Sequence, residues 1–315
     1  MLGTPAAAAP DQDADGLPPL PKLTPWEDCY SQIADERIAG CTVVLEQEER
    51  ESHERVTAFI NRGVALGQKG EMARALNDFG KALVLEPDNA MAHANSGIAH
   101  TALKDFPEAL ASFDRAVAAD ATRAPIFVLR ANALRDSGAF EPAFVDYAKA
   151  LAIDGEYAFA FHERGQAHLK TGAAAKALAD FDMAVRFNPS FASVYHSRAK
   201  VLIDKGELDK AIRDLSLAIE RRPAFVGAYF HRGRALHLKK QFAKAIADYS
   251  RVIEITPDFT PAWNNRARAL AMLGRTAEAL ADIARAEALT PGDASIAGLR
   301  ADLMAATPAA PVTQP

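Results

Sequence analysis

One interval governs this chain. Alanine recurs every 34 residues, at Ala75, Ala109, Ala143, Ala177, Ala211, Ala245 and Ala279. Four residues after each comes a large apolar side chain: Phe79, Phe113, Tyr147, Phe181, Leu215, Tyr249 and Ile283. Three further on stand Ala82, Ala116, Ala150, Ala184, Ala218, Val252 and Ala286. Proline follows at Pro87, Pro189, Pro223, Pro257 and Pro291, with Ala121 and Gly155 departing from the rule. Upstream, Gly63, Gly97, Ala131, Gly165, Ala199, Gly233 and Ala267 keep one position small. Between the two stretches lie Gly70, Gly138, Gly172, Gly206 and Gly274, replaced by Lys104 and Lys240 in two copies.

Each copy reads as a hairpin of two helices. The small residue on the first helix and the alanine on the second let the backbones approach, and the large side chain fills the space beside them. Glycine turns the chain, and proline ends the second helix before the next copy starts. The 34-residue period with its A-x₃-F…P spacing resembles the tetratricopeptide repeat, and Trp263, Arg266, Ala267 and Leu270 match much of the upstream half of that motif. The resemblance, to bacterial multi-repeat proteins of this family, runs without insertion from Val56 to Asp293 as seven units: 56–89, 90–123, 124–157, 158–191, 192–225, 226–259 and 260–293. It implies an all-α fold, a right-handed α-solenoid of helix-turn-helix repeats, because one hairpin cannot bury its own apolar face and must stack on the next.

Both ends need covers. Residues 294–306 read as a capping helix with Ile296, Leu299 and Leu303 on one stripe and Arg300 and Asp302 away from it. Residues 22–55 continue the frame as a degenerate capping repeat. There Cys29 takes the small position of the first helix and Cys41 the alanine position of the second. Two readings stand: small buried packers, or a disulfide that clips the end unit shut. The opening "PWEDCYSQIADERIAGC" resembles that of exported bacterial tetratricopeptide proteins, which favours the second. Residues 1–21, rich in Ala, Pro and Asp, and 307–315 are expected to be disordered. Residues 1–21 hold no basic region followed by an apolar one; "PAAAAP" is the tail of a signal peptide only if translation starts upstream. In that case, with the cysteines oxidised, the chain is periplasmic or secreted; otherwise it is cytoplasmic.

The bulk numbers narrow the function. With 315 residues, 49% hydrophobic, and a formal net charge of −5, the chain has core enough for a repeat array and no basic footprint for nucleic acid. No apolar run approaches the roughly 18 residues of a membrane span. Repeats and caps leave no room for a catalytic domain, and no phosphate-binding loop, nucleophile elbow or H-E-x-x-H is present. No two of the eight histidines stand three or four residues apart, so no single helix offers a chelating pair. No enzyme activity, cofactor or metal is therefore expected. A second ladder runs Arg62, Ser96, Arg130, Arg164, Arg198, Arg232, Arg266 against Asp78, Ser112, Asp146, Asp180, Asp214, Asp248, Asp282. Both positions lose their charge in the same copy, which points to an Arg–Asp pair inside each hairpin rather than to a row of arginines for an anion.

What remains is binding. The resemblance implies that first helices line a groove for a peptide or partner protein. The clamp by which some family members hold a chaperone carboxylate is not matched: Ile60, Val64, Pro125 and Leu129 fill its basic and amide positions, and Asn95 matches alone. The ninth place of each unit should face the groove. It reads Val64, Ile98, Asn132, Gln166, Lys200, Arg234 and Arg268, changing from apolar to amide to basic. The fifth place adds Val128, His162, His196, Phe230 and Asn264. The expected groove is thus His162, His196, Lys200, Phe230, Arg234, Asn264 and Arg268, for a protein segment with an acidic end. The expected function is a non-catalytic adaptor; the alternative is an accessory subunit that positions a separate catalytic chain.

Overall fold

The computed structural model of the chain describes residues 24–47 and 49–305. The expectations for 1–21 and 307–315 lie outside these. The described residues form helices alone and divide into two compact units. The unit ending at Ser137 holds α1 Pro25–Asp28, α2 Ala34–Glu46, α3 Ser52–Gln68, α4 Met72–Leu85, α5 Ala90–Ala102, α6 Phe106–Ala119 and α7 Ala124–Ser137. The unit beginning at Gly138 holds α8 Phe140–Ile153, α9 Ala158–Lys170, α10 Ala174–Phe187, α11 Ala192–Asp204, α12 Leu208–Arg221, α13 Val226–Leu238, α14 Phe242–Ile255, α15 Thr260–Ala271, α16 Thr276–Leu289 and α17 Ala294–Ala305.

Consecutive helices pack as hairpins because the periodic positions meet. A Cβ placed on Gly165 would lie 2.6 Å from Phe181 Cε1, and one on Gly63 would lie 2.5 Å from Phe79 Cε1. These are distances no real pair of carbons tolerates, so the ring occupies the space a side chain would need. In two of the three copies where the first helix carries alanine, the opposing residue is aliphatic: Ala199 with Leu215, and Ala267 with Ile283, all fully buried. In those two a smaller partner makes room for the added methyl, whereas Ala131 has Tyr147 at the corresponding position.

The turns obey backbone geometry in the same way. Gly70, Gly138, Gly172, Gly206 and Gly274 have φ between 72° and 91°, and Lys104 and Lys240 take the same left-handed conformation at 61° and 59°. The turn is held by a six-to-one backbone bond whichever residue occupies it, as in Glu207 N–H to Leu202 at 2.8 Å and Gln241 N–H to Leu236 at 2.8 Å.

Within each unit the first helices also touch one another: α3 with α5 and α5 with α7, then α11 with α13 and α13 with α15. No comparable packing joins α12 to α14 or α14 to α16. The first helices therefore line the inner side of each unit. At the C-terminal end Ile296 and Leu303 of α17 bury against Leu270, Ile283 and Ala286, and Arg300 pairs with Glu287 at 2.8 Å.

The N-terminal end departs from the repeat. α1 is a single turn, started by Pro25 and a reciprocal cap between Thr24 and Glu27. Cys29, at its C-cap, is joined to Cys41 of α2 by a disulfide with Cα atoms 4.4 Å apart, and both cysteines are fully buried beside Val44 and Ala58. α1 rests directly on Gly40, where a Cβ would lie 2.4 Å from that of Asp28. α3 begins at Ser52, four residues before the expected unit start at Val56, since "SHER" continues the helix and Arg50 pairs with Glu54 across its first turn at 3.1 Å.

Candidate functional site

The Arg–Asp ladder closes hairpins. Arg62, Arg164, Arg198, Arg232 and Arg266 each bind both carboxylate oxygens of Asp78, Asp180, Asp214, Asp248 and Asp282, at 2.6–2.9 Å. The fork geometry suits the planar guanidinium. Each arginine also lies over the ring three residues before it: Phe59, Phe161, Tyr195, Tyr229 and Trp263, at 5.0–5.8 Å. The remaining nitrogen reaches the preceding hairpin. Arg198 donates to Asp182, Arg232 to Ser216 and Arg266 to Ser250, at 2.8–3.1 Å. Sequence reasoning found the pair but missed this bridge between hairpins, whose signal was the recurrence of Asp or Ser two residues after the ladder aspartate. A cleft of 470 Å³ opens beside Arg198 and Asp214, but its Arg198, Lys205 and Lys210 are already paired with acidic neighbours. The ladder leaves no arginine of this kind for an anion.

Three other cations recur at one place in the repeat. Lys200 on α11, Arg234 on α13 and Arg268 on α15 are exposed on the first helices of the second unit, and none has an acidic partner among the described residues. Between them runs a series of rings. Phe191, Phe225 and Phe259 stand at the N-caps of α11, α13 and α15, and each meets the fifth-place residue of the preceding first helix. The ring centroids of His162 and Phe191 are 5.2 Å apart, those of His196 and Phe225 4.9 Å, and those of Phe230 and Phe259 5.2 Å. This aromatic at every thirty-fourth residue was visible in the sequence and was missed.

Not every expected residue is open to a ligand. His162 is buried, its Nε2 3.0 Å from Ser197 Oγ and its Nδ1 2.9 Å from Glu163, so it is a core residue rather than a groove residue. Its ring sits there because Gln166 and Ser197 close a polar cluster around it, Gln166 donating to Ser197 Oγ at 2.8 Å. His196, Phe230 and Asn264 are half-buried. Asn264 Oδ1 is a buried polar atom with no hydrogen-bond partner among the described residues, and the Gly227 backbone lies against the His196 ring.

His196 packs against His231 with centroids 5.0 Å apart and the rings tilted by 48°, and Arg234 lies 3.4 Å from His231 Nδ1. Burial, with Lys200 and Arg222 nearby, pushes His196 down to about 4; burial, with His196 and Arg234, pushes His231 down to about 3. At neutral pH both rings are uncharged, and the positive charge beside them comes from Lys200, Arg222 and Arg234, with Arg268 on the next first helix. The unfolded chain takes up these protons near pH 6.5, so the stability tied to the neutral rings is intact above that value and is lost as pH falls toward 3.

Among the described residues no group of three or more His, Cys, Asp or Glu side chains could hold a metal, and no helix is long and apolar enough to cross a membrane. A stack of helical hairpins with a lined inner face is a repeat scaffold. Models of the tetratricopeptide repeat match residues 60–124, 196–258 and 236–303, together more than half of the chain, and the chain belongs to this family. It is in that general sense a protein-interaction scaffold. Comparison with curated proteins finds no match. Solved structures share the α-solenoid fold. A chain of the APC/C hetero-tetramer Cut9–Hcn1 is 14% identical with a TM-score of 0.64, covering 86% of this chain and 52% of its own. Yeast Tom70 is 17% identical with a TM-score of 0.63, covering 86% of this chain and 59% of its own. A tetratricopeptide repeat protein from Parabacteroides merdae is 21% identical with a TM-score of 0.54, covering 80% of this chain and 99% of its own. This chain thus spans about half to three-fifths of the first two.

Proposed function

We propose that the inner face of the second unit holds a segment of a partner protein that carries carboxylates. The reading rests on one observation: Lys200, Arg234 and Arg268 recur at one helical position, exposed and without acidic partners among the described residues, while every ladder arginine named above is neutralised. Three like charges kept on one face repel each other, and an acidic ligand relieves that repulsion and is steered in by it. Phe225, Phe230 and Phe259, all half-buried, give the same ligand an apolar surface. The chain contributes position rather than chemistry.

The experiment is capture of partners from a native extract by the unaltered chain and by the Lys200→Glu, Arg234→Glu, Arg268→Glu variant. The three residues are exposed, so helical content and melting should not change, while capture of the acidic partner is lost. Unaltered capture by the variant at low salt, where charge contacts are strongest, would show that the partner sits elsewhere.

A further inference from the structure

We propose that His196 and His231 are the proton-accepting part of this face: an acidic segment held by Lys200 and Arg234 draws one proton from solvent onto the imidazole pair, so its capture tightens as the medium is acidified. The proposal rests on the acidic-ligand reading above and adds a regulation to it. The first argument is the place of the pair. His196 on α11 and His231 on α13 pack together with centroids 5.0 Å apart, and both are half-buried. Phe225 and Gly227 back His196: the Phe225 ring centroid lies 4.9 Å away, and a Cβ on Gly227 would come 3.2 Å from His196 Nε2. The repeat does not require imidazole here, since one period on the same two places hold Phe230 and Asn265.

The second argument is the charge around the pair. The ionisable groups that act on it are Lys200 on α11, Arg222 at the C-cap of α12, Arg234 on α13 and the buried His162 on α9, and none of these is an acid. Glu163, the acid beside His162, is bonded to the Nδ1 of that ring. α13 and α15 contain no Asp or Glu, and α11 has only Asp204, its last residue, more than two turns beyond His196. Burial and like charge therefore both favour neutral imidazoles, and hold His196 at about 4 and His231 at about 3. Arg234 Nη1 donates to His231 Nδ1 at 3.4 Å. A ligand carboxylate that takes this guanidinium removes the donor and sets a negative charge beside the ring, and Nδ1 then accepts a proton. One proton serves the pair, because a second would put two imidazolium rings in contact. The complex holds more protons than the free chain, so affinity rises as pH falls. A plain ion pair responds with the opposite sign, since acidification only removes charge from the ligand.

The test uses the full chain and rhodamine-labelled hexaglutamate, read by anisotropy at low, constant ionic strength from about pH 7.5 to about pH 5.5. Glutamate titrates near about 4.3, so the probe keeps its charge over this range. The unaltered chain should bind it about three- to tenfold more tightly at the acid end. The Lys200→Glu, Arg234→Glu, Arg268→Glu chain should bind it about tenfold or more weakly at the neutral end. The His196→Gln, His231→Gln chain should lose the gain on acidification. A measurement on the unaltered chain covers the case in which that variant misfolds. In proton NMR of the histidine C2–H resonances near pH 5.5, a pair of rings that is neutral in the free chain should take up about one proton between them when hexaglutamate saturates the face. If the probe binds through the three cations but equally at both pH values, or gains as much in the His-to-Gln chain, the proposal fails and the acidic-ligand reading stands. If no histidine resonance moves with the probe, the proposal fails in the same way. If the probe does not bind, or binds the charge-reversed chain equally well, both readings fall together.

Discussion

The two units share a scaffold and differ in what they display. Gly63 against Phe79 in the first unit has the same geometry as Gly165 against Phe181 in the second. The turns at Lys104 and Lys240 have the same left-handed backbone. On the inner face the likeness ends. The first unit carries Ile60, Val64, Ala94 and Ile98, with Ile98 43% exposed, whereas the second carries His196, Lys200, Phe230, Arg234, Asn264 and Arg268 with a ring at each N-cap. The lesson is that the periodic positions specify a hairpin and leave the groove free to vary. A side chain that touches neither helix partner nor turn is not constrained by the fold.

The end of the first unit is where this shared scaffold fails. It has one turn of helix in place of a full one, and a covalent bond in place of an aromatic–glycine contact. Reduction of Cys29–Cys41 should therefore remove the largest single contribution, about 3 kcal/mol for a loop of this length. Hydrogen exchange should show the loss confined to α1 and α2, and affinity for hexaglutamate at the second unit should not move. Spread of the loss into α11–α15 would break the picture of local, nearest-neighbour stability.

The ladder gives the next effect. Asp214→Ala leaves Arg198 half-compensated in a buried site and should cost about 2 to 3 kcal/mol in urea unfolding, with the Arg198→Ala, Asp214→Ala double variant recovering part of it. The hairpin with Ser96 and Ser112, where Ser96 instead bonds Ala92 at 2.9 Å, already closes without the pair. Additive losses in the double-mutant cycle would refute the coupling. Smaller again is Gly165→Ala, whose Cβ meets Phe181 at 2.6 Å. It should cost about 1 to 2 kcal/mol, and Phe181→Leu on top should recover part of that by imitating Ala199 with Leu215. If Gly165→Ala is neutral, ring position does not control hairpin spacing. The smallest effect separates backbone from side chain: Lys104→Gly and Lys240→Gly should each stabilise by about 0.5 to 1 kcal/mol by relieving a left-handed non-glycine residue. Unequal gains would show that the two units do not share their turn.

The repeat, the hairpin, the Arg–Asp pairs and the C-terminal stripe of Ile296, Leu299 and Leu303 were legible in the sequence alone. All of them are consequences of spacing: helix geometry converts a fixed interval into a fixed contact, so residues 16 apart on either side of a glycine turn must meet. The same is true of the cations at Lys200, Arg234 and Arg268, which one helical position repeated three times places on one face. Other features required the tertiary structure. His162 reads as a groove residue by its place in the repeat, yet Ser197 of the next hairpin draws it inside. The short α1 held on Gly40, and the arginine bridge from one hairpin to the one before it, depend on how neighbouring elements approach. An interval in the chain specifies contacts within a repeating frame; where the frame stops, or where a polar side chain chooses between solvent and a neighbour's hydroxyl, the outcome is set by packing that spacing does not encode.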